Sequence, residues 1–135
     1  MNDRQTLLRN SMRGNAAFST LSGLTFVLAS DALADAVGLG DARILTVTGV
    51  QLLGFAALLV YLASRATLHL PTAMLIVWAD LAWVAGTIPV VALDLLNRTG
   101  SIGAVAIADI VLVFAVLQYL GVRRIRGERA VAATS

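Results

Sequence analysis

Apolar positions gather into four long runs separated by short polar stretches. The runs cover about 14–33, 44–64, 71–93 and 102–122, each near the ~20 residues that carry a helix across a bilayer. This pattern predicts an all-α integral membrane protein: one domain, 1–124, with four transmembrane helices, then a mobile cytoplasmic tail, 125–135. The tail's "RGERAVAATS" holds too little apolar surface for a core. Short connections predict antiparallel neighbours in an up-down-up-down bundle. Pro71 suits the first turn of the third helix, where its missing N–H costs nothing. "NRTGS" at 97–101 predicts the turn before the fourth helix, with Gly100 free to take positive φ.

The first run is the least apolar, carrying Asn15, Ser19, Thr20, Ser22 and Thr25. "LASDALADA" after it imitates a signal-cleavage site, but the polar core and three further runs predict a retained helix.

Composition strengthens the membrane reading. Of 135 residues, 59% are hydrophobic and 13% charged, against about 25% charged in soluble domains. There is no Cys, which excludes disulfides, thiolate metal sites and cysteine nucleophiles. The isoelectric point near 9.9 would suggest nucleic acid in a soluble chain. Here the basic residues, all Arg, flank apolar runs, so no nucleic-acid partner is expected. Arg4, Arg9, Arg13, Arg65, Arg123, Arg124, Arg126 and Arg129 fall on one side; Arg43 and Arg98 fall on the other, beside Asp31, Asp35, Asp41 and Asp94. The positive-inside rule then predicts both termini in the cytoplasm.

The candidate chemistry lies in polar positions inside the runs. "VWADLAWVAGTIPVV" (77–91) sets Asp80 between Trp78 and Trp83. Residues seven apart share a helix face, so Asp80, Thr87 and Asp94 form a stripe on helix three. Asn15, Ser19 and Ser22 form one on helix one; Gln51 and Thr48 lie a turn apart on helix two. Helix four presents Asp109, with Gln118 facing the other way. Rise per residue puts Asp80 ~13 Å from the cytoplasmic end of its helix and Asp109 ~10 Å from the opposite end of its own, about one turn apart in level. Ser22 then matches Asp80 in height, and Gln51 matches Asp109. If these faces meet, the aspartates are neighbours.

No Arg, Lys or His lies within a run. Each buried acid must therefore be protonated, bound to a cation, or compensated by another subunit. Asp80, Asp109, Thr87, Asp94, Gln51 and Ser22 are thus candidates for a proton or cation site. The structural alternative makes each acid interhelical glue worth ~0.6–2 kcal/mol. Pro89 cannot donate to the carbonyl of Ala85 and should bend helix three. Trp78 and Trp83 lie too deep for an interfacial belt and are candidate linings for a lipophilic or cationic ligand. Small residues four apart (Ser19/Gly23, Ala82/Gly86, Ala104/Ala108) suit close helix contacts. No phosphate loop, metal-ligand spacing or nucleophile constellation is present, so neither an enzyme nor a cofactor is expected.

The stretches "LRNSMRGNAAFSTLSGL" (8–24), "ADLAWVAGT" (79–87) and "LQYLGVRR" (117–124) resemble a group of small bacterial four-helix integral membrane proteins of uncharacterised role. That resemblance implies four helices in the bacterial cytoplasmic (inner) membrane and carries no activity. Small multidrug-resistance transporters are of similar size but use a buried glutamate in their first helix; this first run has no acid in its core. Three functions remain in view. The first is a proton or cation channel or carrier, acting as a homo-oligomer along Asp94, Thr87, Asp80 and Asp109. The second is an accessory subunit of a larger membrane complex. The third is a binder of a lipophilic or cationic ligand near Trp78 and Trp83.

Overall fold

The computed structural model describes residues 3–134, with side chains from Gln5 onward; the Arg4 side chain and Ser135 of the tail lie outside the described residues. The chain is all-helical: α1 (Asp3–Leu28), α2 (Ser30–Val37), α3 (Arg43–Ser64), α4 (Leu70–Ala92) and α5 (Arg98–Thr134). Helices α3, α4 and α5 are long and apolar enough to cross a membrane, and α1 with α2 makes a fourth candidate if taken as one bent span.

The first run is not one straight helix. The axes of Gln5–Leu28 and Ser30–Val37 differ by 93°, so the expected span 14–33 breaks at Ala29. The bend suits the side chains of α2: Ala34 is buried, while Asp31 and Asp35 stay exposed. A straight continuation would carry both acids on along the α1 axis. Pro71 does sit in the first turn of α4.

The turn between α4 and α5 falls earlier than "NRTGS". Helix α4 ends at Ala92, and Asp94 takes the left-handed conformation with φ 52°, which Asp tolerates better than most side chains. Gly100 is already helical. Its N–H is capped by Asn97 Oδ1 at 2.8 Å, and a Cβ there would lie 2.8 Å from Val37 Cβ. Close approach of α2, not positive φ, is what demands glycine. The tail also differs from expectation: residues 125–134 prolong α5, with Ile125 buried and Arg129 Nη2 donating to Leu68 O at 3.2 Å.

Helix α1, the least apolar by sequence, sits innermost, closely paired with both α3 and α5; the other close long-helix pair is α4 with α5. Helices α3 and α4, though joined by a short loop, are not among the close pairs. Glycine decides this order. A Cβ on Gly23 would lie 2.9 Å from Gly49 O, and one on Gly49 would lie 2.8 Å from Gly23 O. The α1 and α3 backbones therefore touch, as small-residue contacts between membrane helices allow.

One end of the assembly is solid. Leu8 and Met12 of α1 meet Leu59 and Leu62 of α3, Ala73 and Ile76 of α4, and Val122 and Ile125 of α5. Arg9 locks the same end. Only 4% exposed, it donates from Nη1 to Ala63 O and Arg65 O at 2.6 Å each, and from Nη2 to Ala66 O at 3.4 Å. These carbonyls lie at the C-terminus of α3, where unpaired acceptors and the helix dipole favour a cation. Arg9 is thus a buried helix cap as well as a flanking charge.

Candidate functional site

Asp80 ends the buried stripe of α4, which runs Leu70, Ala73, Ile76, Val77, Asp80. The apolar core lies on one side of it and a cavity of about 210 Å3 on the other. The cavity is walled by Phe18 and Phe26 of α1, Phe55 of α3, Trp83 of α4 and Ile107 and Val111 of α5, among others. Asp80 is the only charged residue in that wall.

The carboxylate is held from two sides. Asn15 Nδ2 of α1 donates to Asp80 Oδ2 at 2.8 Å, and Gln118 Nε2 of α5 donates to the same oxygen at 3.0 Å. Ser19 Oγ donates to Asn15 Oδ1 at 3.4 Å, and Gln118 Nε2 also reaches Phe114 O at 3.0 Å. All four residues are at most 4% exposed: Asn15 1%, Ser19 3%, Asp80 4%, Gln118 1%. Three helices therefore converge on one oxygen, and both donors are neutral amides. Asp80 Oδ1 receives no hydrogen bond among the described residues, yet it is absent from the fully buried unpartnered atoms, which leaves it accessible. It is the oxygen a ligand in the cavity can reach. Gln118 Oε1, in contrast, is buried without a partner.

The other expected site residues scatter. Ser22 and Gln51 line the same cavity, Ser22 half-buried and Gln51 exposed. Thr87 keeps to the Asp80 face of α4, but its Oγ1 donates to Trp83 O at 3.0 Å within its own helix. Asp94 has left the helix and is exposed in the turn, so the expected stripe stops at Thr87. Asp109 is exposed on the outer face of α5 and does not join Asp80. The reason lies in α5 itself: Ala108, Val111, Ala115, Gln118 and Val122 form its buried stripe, and Asp109 falls outside it. A continuous path through Asp94, Thr87, Asp80 and Asp109 is not assembled. The tryptophans divide as well: Trp83 lines the cavity, and Trp78 is 62% exposed on the outer surface.

Sequence reasoning placed Asn15 on an inward polar side but took Asp109 for the inward residue of the fourth helix and set Gln118 on the opposite face. A signal for it existed. Gly100, Ala104, Ala115 and Gly121 lie on or near the Gln118 face of α5, and small residues mark protein-facing sides of membrane helices.

On the acidic end, Asp41 and Arg43 pair at 3.2 Å in the open. Hydrogen bonds from the Arg43 side chain, then from its backbone N–H, hold the Asp41 carboxyl below the usual carboxylate range. Among the described residues no group of three or more His, Cys, Asp or Glu could hold a metal ion.

Compared with known proteins, the chain matches no family model, no curated protein and no solved structure. Its site is therefore read from its own geometry.

Proposed function

We propose that this chain is a multi-pass protein of the bacterial cytoplasmic membrane that binds a small organic cation at Asp80. In this reading its four spans form an up-down-up-down bundle, with α1 and α2 together as the first, bent span. The arginine distribution favours both termini in the cytoplasm. The observation that carries the binding reading is a carboxylate with one oxygen held by two neutral amides and the other left to a mainly apolar cavity. An uncompensated acid in such surroundings calls for a positive partner or a proton. The aromatic walls suit an organic cation, because ring faces attract positive charge.

Size narrows the ligand. The cavity's 210 Å3 lies below the ~300 Å3 at which drug-sized pockets begin. A small alkylammonium ion fits this description. The solid core beyond Asp80 blocks the far side, which favours binding or alternating carriage over an open channel.

Trp83 supplies the assay. In a Trp78→Phe background it is the sole tryptophan, and it lines the cavity. With protein in lipid nanodiscs, tetramethylammonium and short alkylammonium ions are expected to shift its fluorescence saturably, and Asp80→Asn to abolish the shift. An unchanged response in Asp80→Asn would sink the proposal.

A second reading is favoured by the bridging of α1, α4 and α5 at Asp80: the acid acts as glue in an accessory subunit. It expects no saturable shift in either protein, with Asp80→Asn altering only stability or partner recovery. Proton flux into liposomes that disappears with Asp80→Asn, without cation binding, would instead support a proton carrier.

A further inference from the structure

Trp83 borders two hollows. One is the Asp80 cavity; the other is a groove of about 370 Å3 lined by Ala82, Trp83, Gly86, Thr87 and Val90 of α4 and Ala104 of α5. Ala82 and Gly86 have the spacing of a close helix contact. Both are nevertheless exposed, and a Cβ added to Gly86 would meet nothing within 4 Å. The small side chains leave a groove there instead of a contact. Its one hydroxyl, on Thr87, already donates to Trp83 O at 3.0 Å, so the groove suits hydrocarbon.

The groove leads away from the mouth of the cavity. Of the residues that wall the cavity, Gln51 of α3 and Ala79 of α4 are the exposed ones, and α3 and α4 are not a close pair. The cavity therefore opens between these two helices, near the middle of each. Ala79, Trp83, Gly86 and Val90 follow one another at spacings of four, three and four, which puts them on one stripe of α4. That stripe runs from the mouth along the groove, and helical rise from Trp83 to Val90 is ~10 Å.

We propose that the ligand of Asp80 is a single-chain cationic amphiphile, its ammonium head against Asp80 Oδ1 in the cavity and its alkyl chain turned past Trp83 into the groove. This rests on the reading of Asp80 as a cation site and adds the chemical class of the ligand. The two hollows match the two halves of such a molecule. The cavity wall holds one charged residue, with one carboxylate oxygen left accessible; the groove lining holds no charge. The 210 Å3 of the cavity then limit the head and not the chain. In a membrane, a mouth near the middle of α3 and α4 gives onto hydrocarbon, where the chains of amphiphiles partition. The ligand accordingly arrives from the bilayer.

The test fills the groove and leaves the cavity alone. Gly86→Leu and Ala82→Leu each place a side chain in the groove, and neither residue lines the cavity. Both variants and their Trp78→Phe parent, in nanodiscs of one lipid composition, are titrated with tetramethylammonium and with octyltrimethylammonium while Trp83 fluorescence is read. Comparison within one lipid cancels the partitioning of the octyl chain into the bilayer. Tetramethylammonium affinity is expected to stay unchanged, which also shows that the variants fold. Octyltrimethylammonium affinity is expected to fall about tenfold, the effect of losing roughly two buried methylenes. Equal octyltrimethylammonium affinity in the parent and both variants overturns the proposal, because the chain then lies in lipid. An equal loss for both ions overturns it as well, because the substitution has then disturbed the head site. The two levels separate cleanly. Absence of any saturable, Asp80-dependent shift with tetramethylammonium defeats the cation reading and this inference with it, whereas tetramethylammonium binding without a groove effect defeats only the placement of the chain.

Discussion

Gly121 offers a test that connects packing to the candidate site. It lies one turn beyond Gln118 on α5, and a Cβ there would stand 2.8 Å from Leu8 Cβ and 3.0 Å from Leu8 Cα. Ordinary contact begins at 3.4 Å, so Gly121→Ala asks α1 and α5 to part by about 0.6 Å. The obstacle includes backbone, and rotating a side chain does not relieve it. Overpacking of this kind costs ~1–3 kcal/mol. The same parting strains the bridge from Asn15 through Asp80 to Gln118, whose bonds are 2.8 and 3.0 Å long. Adding that displacement to either bond exceeds the usual ~3.2 Å limit for N–H···O, and a lost interhelical bond costs a further ~0.6–2 kcal/mol. Alanine's better helix propensity returns at most ~1 kcal/mol. The net expectation is a loss of ~1–3 kcal/mol together with weaker cation binding at Asp80. Gly127→Ala is the control, because it lies on the same helix with nothing within 4 Å of the added carbon. It should be neutral or slightly stabilising. Unfolding followed by far-UV circular dichroism as SDS is titrated into mixed micelles reads all three proteins. A Gly121→Ala midpoint within ~0.5 kcal/mol of Gly127→Ala would refute the reasoning, since surface changes fall within that range.

Two further substitutions probe the buried polar atoms. Arg9→Met strips the carbonyls of Ala63 and Arg65 of a charged donor and should cost ~3 kcal/mol, with Arg9→Lys recovering part of it because a single ammonium cannot span the same acceptors; thermal unfolding equal to wild type would rule out the cap. Gln118→Met removes one donor to Asp80 but also the orphaned acceptor Oε1, whose burial costs ~1–3 kcal/mol. Asn15→Leu removes a donor with no such relief. Asn15→Leu should therefore be the more destabilising by ~1–2 kcal/mol in the same titration, and a reversed order would show that Oε1 is not orphaned.

These predictions depend on which way each side chain faces, and that is where sequence was least informative. Depth was legible only in part: helical rise from the run ends put Ser22 level with Asp80, and both line the cavity, but Asp80 is bonded to Asn15, two turns from Ser22 along α1. Direction around the axis was not. In a soluble protein the apolar stripe of a helix marks its inner face. Within a membrane the lipid side is as apolar as the core, so Ile102, Leu112 and Val113 around Asp109 look no different from core residues. Small side chains carry the missing information, because only a protein neighbour rewards close approach. On α5 they gather with Gln118, at Gly100, Ala104, Ala115 and Gly121; on α1 Gly23 stands one turn from Ser19. The same argument explains why the most polar helix lies innermost. Its polar atoms are satisfied only by protein, as when Asn15 reaches Asp80 and Arg9 reaches the end of α3. The two aspartates thus separate by the company they keep. Asp80 continues a stripe that meets the Asn15 and Gln118 amides, and Asp109 interrupts a lipid-like face with nothing opposite it. One is met within the chain by amides and a cavity; the other meets no partner among the described residues.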